Sequence, residues 1–134
     1  MNTKKFILAS IGVFFTFEIL DLIVHSILLS NTYEQLNHIW RPDMDSKMWI
    51  MFVTALIFSF LFVYIFTKGY EGKGIVEGIK YGLIIGLLML IVGLFNQYAV
   101  YPLPFILIIQ WFVFGLMEFI ACGIIAALIY KIEK

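Results

Sequence analysis

Three ionisable residues share one face of the first apolar segment of the chain. Glu18, Asp21 and His25 lie within the stretch from Phe6 to Leu29, at the i, i+3 and i+7 spacing that stacks side chains on a helix. An apolar stretch of this length predicts a transmembrane helix. Ionisable groups in hydrocarbon are costly, so they usually face a bundle interior and mark a site. We therefore place the candidate site on this helix.

The chemistry of this site depends on what neutralises its two carboxyls. Two carboxylates one helical turn apart cannot both be ionised in a medium of low dielectric constant unless a cation lies between them. If the cation is a proton, Glu18 and Asp21 titrate as a coupled pair and His25 is a second station toward the outer surface. If it is a metal, carboxylates and imidazole suit iron, manganese or zinc better than copper(I), which prefers sulfur. Both alternatives, a proton and a divalent metal cofactor, stay open.

The composition is that of a membrane protein. Hydrophobic residues make up 63% of the chain and charged residues only 13%, against about half and about a quarter in soluble domains. The 134 residues have room for four spans, because each needs about 20 residues. The formal net charge of zero gives no basic surface for nucleic acid. The predicted partner is thus a lipid bilayer, and nucleic acid is excluded.

We predict an all-α integral membrane protein, an antiparallel four-helix bundle that forms one domain over residues 1–134. Lys4 and Lys5 give the first span the start of a signal peptide. The apolar stretch is too long for one and no A-x-A-like cleavage site follows, so we expect it to be retained. The four spans are predicted at about 6–29, 48–67, 75–95 and 104–130.

The connections between spans carry their own signals. Asn96 and Gln97 are predicted to mark the polar end of the third span. The segment Tyr101–Pro104 contains two prolines, which remove backbone donors and bias the preceding residues away from helix. It is therefore predicted to form a tight corner between antiparallel neighbours.

The basic residues predict the orientation. Arg41 and Lys47 fall in the connection after the first span, and the other seven of the nine basic residues fall on the opposite side of the four-span arrangement. Cytoplasmic loops carry the excess of Lys and Arg, so we expect a protein of the cytoplasmic (inner) membrane with both termini inside. The seven are Lys4, Lys5, Lys68, Lys73, Lys80, Lys131 and Lys134.

The outer loop from Ser30 to Lys47 contains a helix signal. Asn31 followed by Glu34 resembles an N-cap with a capping box. Four apolar residues then recur on one face, namely Tyr33, Leu36, Ile39 and Trp40. We predict a short interfacial helix here, and the alternative is a plain connecting loop whose aromatic residues anchor at headgroup depth.

Further polar residues gather in the outer half of the predicted bundle. Glu118 lies near the middle of the fourth span, level with Glu18 in the first. It completes a candidate proton or metal site made of Glu18, Asp21, His25 and Glu118. The supporting polar residues are Thr54, Asn96, Gln97 and Gln110. The alternative is structural, because polar side chains also hold membrane helices together through interhelical hydrogen bonds.

Glycines recur at every fourth residue entering the third span. Gly74, Gly78, Gly82 and Gly86 give a small-xxx-small ladder whose flat face lets another backbone approach closely. Packing within the chain, against the fourth span, is the preferred interpretation. A dimer face is the alternative.

The residues favour binding or transport over catalysis. The chain has no E-x-x-H pair, no P-loop and no G-x-S-x-G, the motifs of di-iron bundles, nucleotide sites and serine hydrolases. We predict a small transporter, channel or binding protein with an outer-facing site for a proton or divalent cation. The alternatives are a non-catalytic subunit of a larger membrane complex or homo-oligomer, and an enzyme acting on lipid or quinone.

Overall fold

The computed structural model describes residues 1–132, and every regular element in that range is helical. Four stretches are long and apolar enough to cross a membrane, and they confirm the predicted all-helical architecture with four apolar spans: Thr3–Leu28, Met44–Lys68, Ile75–Val100 and Phe105–Ile129. The α-helices are α1 (Thr3–Ile23), α2 (Ser30–Gln35), α3 (Met48–Lys68), α4 (Ile75–Val100) and α5 (Phe105–Ile129). A π-helical turn, Val24–Leu28, continues α1, and a 3-10 turn, Met44–Lys47, precedes α3.

The end of α4 differs from the prediction. The helix does not stop at Asn96 and Gln97 but continues to Val100. It ends where Tyr101 turns to an extended conformation, with φ −106° and ψ 147°. Tyr101 precedes Pro102, and the ring of a proline disfavours the helical region for the residue before it. Backbone sterics therefore end this helix, whereas the two amide side chains are compatible with it.

The predicted helix in the outer loop is present but starts earlier and ends at Gln35, so Leu36, Ile39 and Trp40 lie beyond it. Asn31 lies inside α2 rather than at its N-cap, which is Leu29 and makes no side-chain capping bond. The chain enters α2 directly from the π turn, so the helix needs no new start signal. The residues predicted to face the interface are partly buried on a cluster of Val24, Leu29, Leu103, Leu107 and Ile108. They thus pack on the protein.

The termini and the connection between α3 and α4 meet at one end of the helices, which we call the basic end. The Asn2 backbone N–H donates to the Tyr130 hydroxyl at 3.4 Å, and the Ile132 N–H donates to the Tyr70 hydroxyl at 3.2 Å. Six of the seven grouped lysines lie in the segments at this end, and Lys134 lies outside the described residues. At the opposite end, Arg41 and Lys47 both pair with Asp43, at 2.7 Å and 3.4 Å.

Helix α5 is the hub of the packing. It lies against α4 along its length and also against α1, which in turn packs on α3. The core between them consists of Ala9, Val13, Phe62, Val63, Phe66, Phe119, Cys122, Ala126, Ala127 and Tyr130. This core fills the half of the molecule near the basic end, and the other half contains the smaller apolar cluster around Leu107 together with the polar residues.

Glycines bring α4 and α5 into backbone contact. A Cβ added at Gly78 would collide with the Gly123 carbonyl oxygen, and one added at Gly82 with the Phe119 carbonyl oxygen. At Gly86 the added atom would lie 2.9 Å from the Phe119 Cβ. Residue numbers fall along α5 as they rise along α4, so the two helices run in opposite directions. Three members of the ladder therefore serve packing within the chain.

Gly74 is the exception to the predicted ladder. Nothing lies within 4 Å of a Cβ added there, and its φ of +71° is one that side-chain-bearing residues rarely adopt. Gly74 shapes the entry to α4 instead of packing on α5. The Glu77 carboxylate closes this entry by accepting the backbone N–H groups of Glu71 at 2.6 Å and Lys73 at 2.8 Å.

Alanine substitutions on α4 test the backbone contact. Gly82→Ala should destabilise the protein by about 1–3 kcal/mol, the usual cost of overpacking, because the new methyl group meets a carbonyl oxygen that cannot move away alone. Gly93→Ala is the matched control, since the space around Gly93 is open and alanine favours helix by about 0.5–1 kcal/mol. Thermal unfolding in detergent measures both. Equal melting temperatures for the two variants would contradict the contact.

Candidate functional site

The site is built on a contact between Asp21 of α1 and His25 of the π turn. The His25 Nε2 lies 3.1 Å from the Asp21 Oδ1, at i, i+4 spacing. The Asp21 side chain is 24% exposed and the His25 side chain 37% exposed, so neither is fully buried. The predicted proximity of these two side chains is thus observed.

The π turn aligns a third residue with this pair. Its wide turn is closed by the Leu29 N–H donating to the Val24 carbonyl at 2.9 Å, one residue further than in an α-helix. In a regular helix, side chains eight residues apart are rotated by about 80°. The π turn contains one residue more than an α-helical turn, so eight residues here cover about the rotation of seven and the offset falls to about 20°. Tyr33 consequently lies over His25, with the rings 5.8 Å apart and inclined by only 12°.

Tyr33 connects the pair to α5. Its hydroxyl is hydrogen-bonded to the His25 Nδ1 and accepts the Trp111 indole N–H at 2.7 Å. The Trp40 indole N–H donates to the Tyr33 backbone carbonyl at 3.2 Å. Two tryptophans thus hold one tyrosine in place from the loop and from α5.

Donor chemistry gives this chain of hydrogen bonds a direction. An indole N–H can only donate, so the Tyr33 oxygen accepts from Trp111 and its own proton is free for His25. Burial raises the pKa of Tyr33 to about 12, so the hydroxyl keeps that proton at neutral pH. In neutral His25 the Nδ1 then accepts and the Nε2–H donates to Asp21. The order of donation is Trp111 to Tyr33 to His25 to Asp21.

Glu118 approaches the same pair from α5. It is only 5% exposed, and its charged neighbours are Asp21 and His25. Trp111 lies seven residues earlier, two turns away on the same helix face. The side chains of Asp21, His25, Trp111 and Glu118 all line one cavity of about 240 Å³ between α1, α4 and α5. Helix α5 therefore supplies an acid beside Asp21 and His25 and an indole donor to Tyr33 of α2.

Glu18 lies on the other side of the pair. It lines a second, larger cavity of about 610 Å³ between α1 and α3. Asp21 and His25 line both cavities and form part of the wall between them. Glu118 reaches only the smaller cavity and Glu18 only the larger. The structure thus divides the four predicted residues between two compartments instead of enclosing them in one.

The supporting polar residues divide as well. Thr54 lines the larger cavity with its hydroxyl donating to the Met51 carbonyl at 3.0 Å, and Gln97 lines the smaller one. Asn96 and Gln110 line neither cavity. Within residues 1–132, no three His, Cys, Asp or Glu side chains are grouped closely enough to hold a metal ion. The donor geometry therefore gives no support to the metal alternative.

The sequence did not reveal the roles of Tyr33, Trp40 and Trp111. Aromatic residues near the ends of apolar segments are typical of the membrane interface, and that general signal conceals specific hydrogen bonds. Regular helical spacing from His25 also separates Tyr33 from it, because the π turn that aligns them has no sequence signature. Comparison of the chain with protein-family models, curated proteins and solved structures gives no match. Its function is therefore inferred from this geometry.

Removing the Tyr33 hydroxyl tests the direction of the chain. In the wild type, nitrogen NMR of labelled His25 should show a proton on Nε2 and none on Nδ1 at alkaline pH. Tyr33→Phe should mix the two tautomers and destabilise the protein by about 1–3 kcal/mol, because the Trp111 donor loses its acceptor. Tyr98→Phe is the control, since Tyr98 is 44% exposed on α4. A wild-type proton on Nδ1 would reverse the proposed direction.

Proposed function

We propose that this chain is an antiparallel four-helix protein of the cytoplasmic membrane, with its basic end inside. Four apolar helices support the bilayer setting. The lysines at the basic end fit the excess of positive charge on cytoplasmic loops. The loop at the other end carries two basic residues, Arg41 and Lys47, against the six lysines in the segments at the basic end, and the positive-inside rule counts Lys and Arg rather than net charge. The hydrogen-bonded chain of Trp111, Tyr33, His25 and Asp21, which we call the relay, then lies toward the outer surface.

Cysteine labelling tests this orientation. Asn37→Cys, in the loop at the outer end, should react with a membrane-impermeant maleimide in intact cells. Gly69→Cys, at the basic end, should react only after permeabilisation. The native Cys122 is completely buried and gives little background. The opposite labelling pattern would reverse the topology and turn the site toward the cytoplasm.

We propose that the function is proton binding and transfer, as part of transport across the membrane. The observation that carries the proposal is the directed chain of hydrogen bonds that ends at Asp21, between two cavities. Imidazole binds and releases protons on either nitrogen near neutral pH. A proton taken up by His25 turns Nδ1 into a donor, so the Tyr33 hydroxyl must rotate and accept. Proton uptake by His25 thereby changes the hydrogen bonding of Tyr33, which contacts Trp40 of the loop and Trp111 of α5.

The surroundings of the relay contain few other charges. Along α1 the titratable neighbour is Glu18, from α5 it is Glu118, and from α2 it is Tyr33. The cavity walls contributed by α3 and α4 hold no titratable residue within the described part of the chain. Acidic groups thus surround one imidazole, and a proton satisfies them without the ligand cage that a metal ion requires.

Replacing Asp21 by asparagine tests the proton proposal. The amide keeps the shape of the side chain but cannot stabilise a protonated His25 by charge. Purified protein in nanodiscs should take up protons on mild acidification, as read by a pH-sensitive dye in weak buffer, and Asp21→Asn should lose part of this uptake. Asp43→Asn is the control, because Asp43 lies in the loop ion pairs. Uptake by Asp21→Asn that matches the wild type would contradict the relay.

A further inference from the structure

The larger cavity has the size and shape of a small-molecule site. Its volume of about 610 Å³ lies within the range of about 300–1,000 Å³ that is usual for ligand pockets. Residues of α1, the π turn and α3 line it. Its rim includes side chains more than half exposed, Leu22, Met51 and Phe52 among them. The cavity therefore opens sideways, where a molecule dissolved in the bilayer would enter.

The walls combine an apolar surface with two neighbouring acids. Phe17, Phe52 and Phe58 supply aromatic rings, and Met48 and Met51 supply flexible thioethers. Aromatic faces attract organic cations, and methionine adapts to irregular apolar shapes. Glu18 and Asp21 are the acidic residues of the lining, His25 is its one residue that can become cationic, and no lysine or arginine of residues 1–132 contributes to it. A ligand for this cavity must therefore be largely apolar and positively charged.

We propose that the cavity between α1 and α3 binds an amphipathic organic cation, with its charged group beside Glu18 and Asp21 and its apolar part against the phenylalanines. Phospholipid is the competing occupant of a sideways opening, but its phosphate would meet the two carboxylates. A metal ion needs a close set of ligands that these residues do not form. An organic cation spreads its charge over a larger volume and needs only proximity to the acids.

The proposal deepens the proposed function, because Asp21 also belongs to the proton relay. A cation beside Asp21 and a proton on the Asp21–His25 pair would neutralise the same carboxylate. Glu18, in contrast, lines this cavity only and has no contact with Tyr33, Trp111 or Glu118 among the hydrogen bonds of the described residues. Glu18 therefore separates the two proposals experimentally.

Binding of a charged probe to the purified wild-type protein tests the chemistry. Tetraphenylphosphonium is the probe, and tetraphenylborate, which has a similar shape and the opposite charge, is the control. Equilibrium dialysis should give saturable binding of the cation and no saturable binding of the anion. Glu18→Gln should weaken cation binding by at least about tenfold, since a close charge pair in a poorly hydrated cavity is lost. Equal retention of both ions would show simple partitioning and overturn the proposal.

A cavity-filling variant tests the location. Thr54→Trp places a large ring in the cavity, and its affinity for the cation should fall by at least about tenfold. Val53→Trp is the matched control, because Val53 is 46% exposed on the same helix and does not line the cavity. It should bind like the wild type. Unchanged binding by Thr54→Trp would overturn this cavity as the site.

The two proposals fail separately. If the wild type takes up protons in an Asp21-dependent manner but binds no cation, the cavity proposal is overturned and the relay stands. If Glu18-dependent cation binding occurs without Asp21-dependent proton uptake, the relay is overturned and the cavity stands. Circular dichroism of each variant identifies any that has not folded, and the Val53→Trp and Asp43→Asn controls then set the reference.

Discussion

The close contact between α4 and α5 is the constraint on which the rest of the structure depends. Two glycines allow the α4 backbone to touch α5 at Gly123 and Phe119, so these helices form one rigid pair. Lipid provides no hydrophobic drive between helices, and close packing must supply the stability. The other face of α5 is then free to receive α1, and it carries Glu118 and Trp111 to the level of Asp21 and His25. The position of the polar site thus follows from an apolar contact.

A single irregular turn converts that placement into a connected network. The π turn at Val24–Leu28 rotates the following chain so that Tyr33 returns over His25. Such turns are rare and occur frequently at functional sites. Here the turn joins a helix, a loop and α5 through one hydroxyl group. An ionised Asp21 can only accept, so neutral His25 carries its proton on Nε2 and its Nδ1 accepts from the Tyr33 hydroxyl, which in turn accepts from the Trp111 indole.

The acids of the candidate site are divided between two cavities. Each cavity receives one acid of its own, Glu18 in the larger and Glu118 in the smaller, and both share Asp21. The arrangement also gives the shared pair two different neighbourhoods, one lined by residues of α1, α4 and α5 and one lined by residues of α1 and α3.

The sequence by itself determined the helical class, the four apolar segments and the glycine contact at Gly78, Gly82 and Gly86, because these depend on local composition and spacing. It also identified Asp21, His25 and Glu118, since ionisable residues in apolar segments are conspicuous. Only the tertiary structure decided which of them meet. The separation of Glu18 from Glu118 depends on how α1 is seated between α3 and α5, and the role of Tyr33 depends on a π turn. Both are set by packing between distant segments, which no local pattern encodes.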